Sequence, residues 1–86
     1  MKEESVFDRV VSKEGLGSQA ELARVCGITH GALVFWPSGV ILPKYANKVA
    51  KELEDRGKLK ENGAPLVTVE EMLEAYDEHL EKKARA

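Results

Sequence analysis

The chain has 86 residues, 43% of them hydrophobic, with 13 basic and 15 acidic side chains and a net charge of −2. That length predicts one modest folding unit, and the hydrophobic share excludes disorder throughout. The acidic balance argues against a general polyanion binder, the single cysteine excludes an intrachain disulfide, and no apolar run is long enough to span a membrane.

Residues 3–13 read as a first helix. Val6 and Val10, and Phe7 and Val11, are i, i+4 pairs that form one apolar stripe, started by Ser5 or by the acidic Glu3–Glu4 pair. Gly15 and Gly17 break it.

Ser18 then caps a second helix, with Glu21 three residues on completing a capping box. Leu22, Val25 and Cys26 share its inner face, and Gly27 suits the left-handed residue that ends a helix. Thr29 caps a further helix in which Leu33 and Trp36 face inward, until Pro37 stops it. Ala23 supplies the small residue needed where two helices cross, and Ile28 is apolar at the turn. This is a helix-turn-helix pattern, which a small helical bundle with a tight corner also satisfies.

Pro37, Ser38 and Gly39 form a turn by composition. Val40-Ile41-Leu42 is either a brief strand or an extended cover for the core. Pro43 opens a fourth helix to about Arg56, with Tyr45, Ala46, Val49, Ala50 and Leu53 apolar and Gly57 just beyond its end. Lys44, Lys48 and Lys51 line one edge of that helix. They form either a solvated face with ion pairs such as Lys48–Glu52 or a phosphate-contacting edge.

Residues 58–68 offer Asn62-Gly63 as a hairpin turn, weakened by Pro65, so a flexible linker is the simpler reading. Thr68 and Glu71 make another capping box. Met72, Leu73, Tyr76 and Leu80 form a narrow apolar stripe on an acidic helix to about Lys83, which either packs back on the domain or pairs with another chain. Residues 1–60 are thus expected as a helix-turn-helix domain, and 61–86 as a linker and a C-terminal amphipathic helix for dimerisation.

Charge is unevenly spread. Residues 37–60 hold six basic and three acidic side chains, a net +3, whereas residues 61–86 hold three basic and seven acidic, a net −4. A phosphate footprint depends on such local clusters more than on the total.

Nothing in the chain carries a catalytic signature. His30 and His79 stand alone, one cysteine gives no zinc spacing, and no glycine-rich phosphate loop is present. The expectation is a non-enzyme without metal, cofactor or small-molecule substrate. Cys26 falls in a core slot, where a free thiol behaves as a small hydrophobe. With an N-terminus (Met-Lys-Glu-Glu) that lacks a signal-peptide pattern, this points to the cytoplasm.

Gly17-Ser18-Gln19, Leu22-Ala23, Gly27-Ile28-Thr29, Ala32-Leu33 and Trp36, followed by Pro43 and the Ala46/Val49/Leu53 helix, resemble the lambda-repressor-like helix-turn-helix regulators. The similarity is greatest to small phage and prophage Cro proteins and covers roughly residues 5–57. It implies a mainly α, four-to-five-helix domain, here with an extra C-terminal helix. It also implies a dimeric repressor whose second motif helix enters the major groove of operator DNA. Carried over by position, Thr29, His30, Gly31, Val34 and Phe35 would read bases. Ser18 and Gln19, with Lys44 and Lys48 from the lysine edge, would meet phosphates.

The departure from that family lies at Gly31, Val34 and Phe35, where relatives usually carry Arg, Gln, Asn or Ser. Bidentate hydrogen bonding to bases is lost from most of this helix. Either the protein reads thymine methyls and DNA shape, or the apolar face of Val34 and Phe35 docks another protein.

Overall fold

The computed structural model describes residues 4–37 and 39–85. Glu3 and Ser38, assigned above to the first helix and to the turn after Trp36, lie outside the described residues. The chain is mainly helical: α1 is Val6–Val11, α2 is Gln19–Cys26, a 3-10 helix spans His30–Phe35, α3 is Pro43–Asp55 and α4 is Val69–Arg85. No strand occurs among the described residues.

α1 is shorter than the expected 3–13. Ser5 caps it, its Oγ accepting from the Asp8 N–H at 3.1 Å. The helix stops because Ser12 turns to extended backbone (φ −69°, ψ 171°) and its hydroxyl donates to the Arg9 carbonyl at 2.7 Å. The chain then folds under the helix end, with the Leu16 N–H donating to the Val10 carbonyl at 2.7 Å. Leu16 is thereby buried, a core residue the stripe pattern does not reveal. Gly15 is obligatory at this bend, since a Cβ there would lie 2.3 Å from the Val10 carbonyl oxygen.

α2 follows the expected script. Ser18 Oγ accepts from the Glu21 N–H at 3.2 Å, and Gly27 at φ 74° closes the helix, its N–H bonded to the Ala23 and Arg24 carbonyls. The next element departs from expectation in kind, being a 3-10 helix and not an α-helix. Thr29 makes no side-chain cap, and Gly31, Val34 and Phe35 are all poor helix formers. A 3-10 helix of this length is sustained by what it packs on rather than by its own bonds.

Trp36 ends that element and anchors it. Its ring stacks on Tyr45 of α3 at 5.4 Å between centroids and meets Phe7 of α1 edge-on at 6.4 Å. Val40 and Ile41 are buried in the non-strand cover that follows. α3 starts on Pro43 with no side-chain cap from Leu42, and Gly57 at φ 74° follows its end. Leu22, Leu33, Ile41, Val49 and Leu53 form the centre of one core cluster.

The expected flexible linker is instead a closed turn. Lys60 N–H donates to the Ala64 carbonyl at 2.7 Å, Leu66 N–H to the Lys58 carbonyl at 2.9 Å, and Leu59 and Pro65 form an antiparallel bridge. Pro65 needs no N–H at its place in this bridge, so the reason for disfavouring a hairpin does not operate. The turn delivers Val67 to full burial.

α4 begins with the expected capping box. Glu71 N–H donates to Thr68 Oγ1 at 3.2 Å, and Thr68 N–H donates to Glu71 Oε1 at 3.1 Å. The helix packs back on α1 and α3. Met72 is fully buried in the same cluster as Leu22 and Leu53, so it is unavailable to a second chain. Leu73 and Leu80, 39% and 45% exposed, are what remains of the stripe on the surface, with Tyr76 half-buried.

Candidate nucleic-acid interface

The surface singled out by the helix-turn-helix pattern is built on the pivot at Gly27. Ile28 N–H donates to the Ala23 carbonyl at 3.0 Å, which fixes the turn between α2 and the 3-10 helix. Both elements pack on each other through buried Leu22, Cys26 and Leu33. Thr29, His30, Gly31, Val34 and Phe35 are all exposed.

The 3-10 geometry changes which of these side chains share a row. With three residues per turn, positions i and i+3 eclipse. His30 therefore heads the row of Leu33 and Trp36, which turns inward, and it is exposed because it is the first of the three. Gly31 with Val34, and Ala32 with Phe35, make the outward rows. Val34 is 78% and Phe35 87% exposed, the highest values among the large hydrophobic residues described. No side chain on those two rows can donate or accept a hydrogen bond.

Ser18 and Gln19 are exposed at the start of α2, where free backbone N–H groups and the helix dipole favour an anion. Ser18 Oγ is already engaged by Glu21. Lys44 Nζ lies 5.0 Å from the centroid of the Tyr45 ring, which in turn stacks on Trp36. This chain of contacts ties Lys44 to the end of the 3-10 helix. Lys48 is near enough to Cys26 to act on its thiol electrostatically, which ties it to the end of α2. Burial dominates at that thiol and pushes its pKa up to about 11.

The ion pairs sort the cations. Glu52 accepts from Arg56 Nε at 2.6 Å, not from Lys48, and Arg56 also donates to Glu21 at 3.0 Å. The two hydrogen bonds raise the Arg56 pKa further. Lys60 pairs with Glu71, and Arg24 with Glu21 at 3.4 Å. Among the described residues Lys44, Lys48, Lys51 and Lys58 form no ion pair. The positive segment thus keeps its cations unneutralised on the lysine edge. Lys44, Lys48 and Lys51, which the spacing along α3 put on one edge, are all exposed.

A groove of about 590 Å³ lies elsewhere, between α1 and α4, with Glu4, Arg9, Glu74, Glu78, His79 and Lys82 on its walls. None of the side chains expected to contact DNA lines it. No group of three or more His, Cys, Asp or Glu residues is arranged to hold a metal ion among the described residues. No described helix is long and apolar enough to cross a membrane. No protein-family model, curated protein or solved structure matches the chain.

Proposed function

We propose that this protein is a sequence-specific DNA-binding regulator of the lambda-repressor-like helix-turn-helix class, a cytoplasmic Cro-like repressor of a phage or prophage switch. It acts without catalysis or cofactor. The features that carry the reading are the exposed 3-10 helix held at the Gly27 pivot and the exposed, unpaired Lys44, Lys48 and Lys51 on α3. An exposed element at a fixed pivot can enter a groove, and exposed cations elsewhere on the same domain can meet phosphates. Thr29 and His30 supply the hydrogen-bonding groups toward base edges, and Gln19 with the α2 N-terminus supplies a phosphate contact.

Operator binding is by a homodimer, with Leu73, Tyr76 and Leu80 of α4 as the contact between copies. Selection from random duplexes at two salt concentrations tests the reading. Enrichment of one sequence, with affinity falling steeply as salt rises, is the expected result. Absence of any enriched duplex refutes it.

The exposure of Val34 and Phe35 favours one alternative, a protein-interaction module on the same scaffold. It predicts that Val34→Ala and Phe35→Ala abolish binding to a protein partner while affinity for duplex DNA is absent or unaltered.

A further inference from the structure

α3 and α4 each carry a row of charged side chains at the spacing i, i+4, i+7 and i+11, which keeps a row on one side of its helix. On α3 the row is Lys44, Lys48, Lys51 and Asp55. On α4 it is Glu74, Glu78, Glu81 and Arg85. Read from the N-terminal end, the first row is positive until its last member and the second is negative until its last member. Every side chain in both rows is exposed. None of them forms an ion pair among the described residues, either within its row or with the other row of the same chain. Like charges at i, i+4 repel along a helix, so each row costs stability until counter-charges meet it.

We infer that α4 of one copy of this chain docks on α3 of a second copy, with the two helices parallel and the two rows face to face. Glu74 then meets Lys44, Glu78 meets Lys48, Glu81 meets Lys51, and Arg85 meets Asp55. Both rows rise by about 16 Å along their helices, so every pair forms in one register. The last pair fixes the direction. An antiparallel α4 would set Glu81, Asp77 and Glu74 against the lysines but bring Glu70 to Asp55, like charge against like. Exposed ion pairs are individually weak and screened by salt, so the contact forms at low salt and high protein concentration. It is heterologous, since the two copies use different surfaces, and it leaves Leu73 and Leu80 outside the row. The lysines are also the proposed phosphate contacts, so a docked α4 and DNA exclude one another there. The contact itself does not rest on the DNA-binding reading.

Sedimentation of the full chain at about 1 M and about 0.05 M salt isolates the contact, because attraction between exposed charges is screened at the first and not at the second. The sedimenting mass should rise as salt is lowered. Lys44→Glu with Lys48→Glu and Lys51→Glu should remove the rise, and so should Glu74→Lys with Glu78→Lys and Glu81→Lys. The changed positions are exposed, so both variants should melt like the parent. Mixed in equal amounts, the two variants should recover the rise, since each presents rows opposite in sign to the other's. Asp55→Arg and Arg85→Glu should each weaken association alone, and their mixture should restore it.

If the mass of the parent is the same at both salt concentrations, the inference is overturned. It is likewise overturned if either reversed row keeps the rise, or if the mixture of the two fails to recover it. Strengthened association of Asp55→Arg alone would mean an antiparallel contact and overturn the pairing. None of these results touches the DNA-binding reading, which selection from random duplexes decides separately.

Discussion

Arg9 of α1 and Glu71 of α4, 62 positions apart in the chain, meet through a hydrogen bond of 2.9 Å from Nη1 to Oε2. The other guanidinium nitrogen donates to the Leu66 carbonyl at 2.9 Å, and Lys60 donates to the second oxygen of the same carboxylate. One side chain thus closes the first helix, the 58–66 turn and the start of the last helix onto one another. Burial works to raise the Glu71 pKa. The Lys60 hydrogen bond, the Thr68 backbone N–H and Arg9 outweigh it and hold the carboxyl at about 2.

This hub makes stability depend on acid. The unfolded chain takes up the Glu71 proton near the ordinary carboxylate value of 4.5, whereas the folded chain resists until about 2. The stabilisation is therefore complete above pH 4.5 and lost as pH falls toward 2. Because the partners are about a third exposed, solvent screening limits it to about 1–2 kcal/mol. Glu71→Gln should lower stability by that amount at pH 7 and flatten the acid limb. Urea denaturation from pH 7 to 2 measures both, and parallel limbs for parent and variant would contradict the assignment.

Cys26 runs the other way. Its thiol is pushed from 9.0 to about 11 by burial, with Lys48 opposing, so folding holds the proton more tightly than the unfolded chain does. Its contribution to stability is present below pH 9 and lost as pH rises toward 11. The thiolate is the reactive form, so a thiol-labelling reagent at pH 8 should react slowly with the native protein and rapidly in denaturant. Equal rates would show that the α2 face is open.

Gly15 should tolerate no side chain. The atoms a Cβ would strike are backbone, the Val10 and Arg9 carbonyls, so α1 and the bend must separate to make room. Gly15→Ala should cost about 1–3 kcal/mol in the manner of an overpacked core. Gly31→Ala, with nothing within 4 Å of the added atom, should be close to neutral for folding. Thermal melts of the two variants compare them directly.

The helical parts were legible where a local rule decides them. Ser18 with Glu21, Gly27, and Thr68 with Glu71 each satisfy a hydrogen-bonding need within a few residues, Pro43 brings no N–H to leave unpaired in its first turn, and each sits where the spacing said. Burial set by distant contacts was not legible. Leu16 and Val67 lie outside any helical stripe and are buried because the chain folds back over them. The 3-10 form of His30–Phe35 likewise depends on Trp36 packing between Phe7 and Tyr45, which spacing within the helix does not encode. At the candidate site, exposure of Val34 and Phe35 was readable from the inward position of Leu33. The freedom of Lys48 was not, because Glu52 chooses Arg56 only once both are in place.

Removing the C-terminal segment should unfold the domain and not merely separate two copies. Truncation after Gly63 deletes Val67 and Met72, both fully buried, together with Glu71 and its bonds to Arg9 and Lys60. Loss of two large core side chains alone costs several kcal/mol, a large part of the stability of a chain this size. Circular dichroism of the truncated chain should show loss of the cooperative melt. Dimerisation is better tested by Leu73→Ser and Leu80→Ser, which alter exposed positions and should leave the melt of a dilute sample intact while reducing the sedimenting mass.

The lysine edge should act on every duplex alike. Lys44 and Lys48 are exposed and carry charge with no carboxylate partner among the described residues, so in the proposed complex they meet phosphates, whose charge is the same in any sequence. Each phosphate contact releases about one counterion, so Lys44→Gln or Lys48→Gln should reduce the slope of log affinity against log salt by about one. Affinity for selected and unselected duplexes should fall by the same factor, leaving their ratio unchanged. Lys82→Gln, on the wall of the α1–α4 groove, is the control and should leave the slope as it was. Titrations at four or more salt concentrations on both duplexes give the slopes. A variant at Lys44 or Lys48 that changes the ratio while keeping the parental slope would mean that the lysine touches a base edge, and the edge would lose its assignment as a phosphate contact.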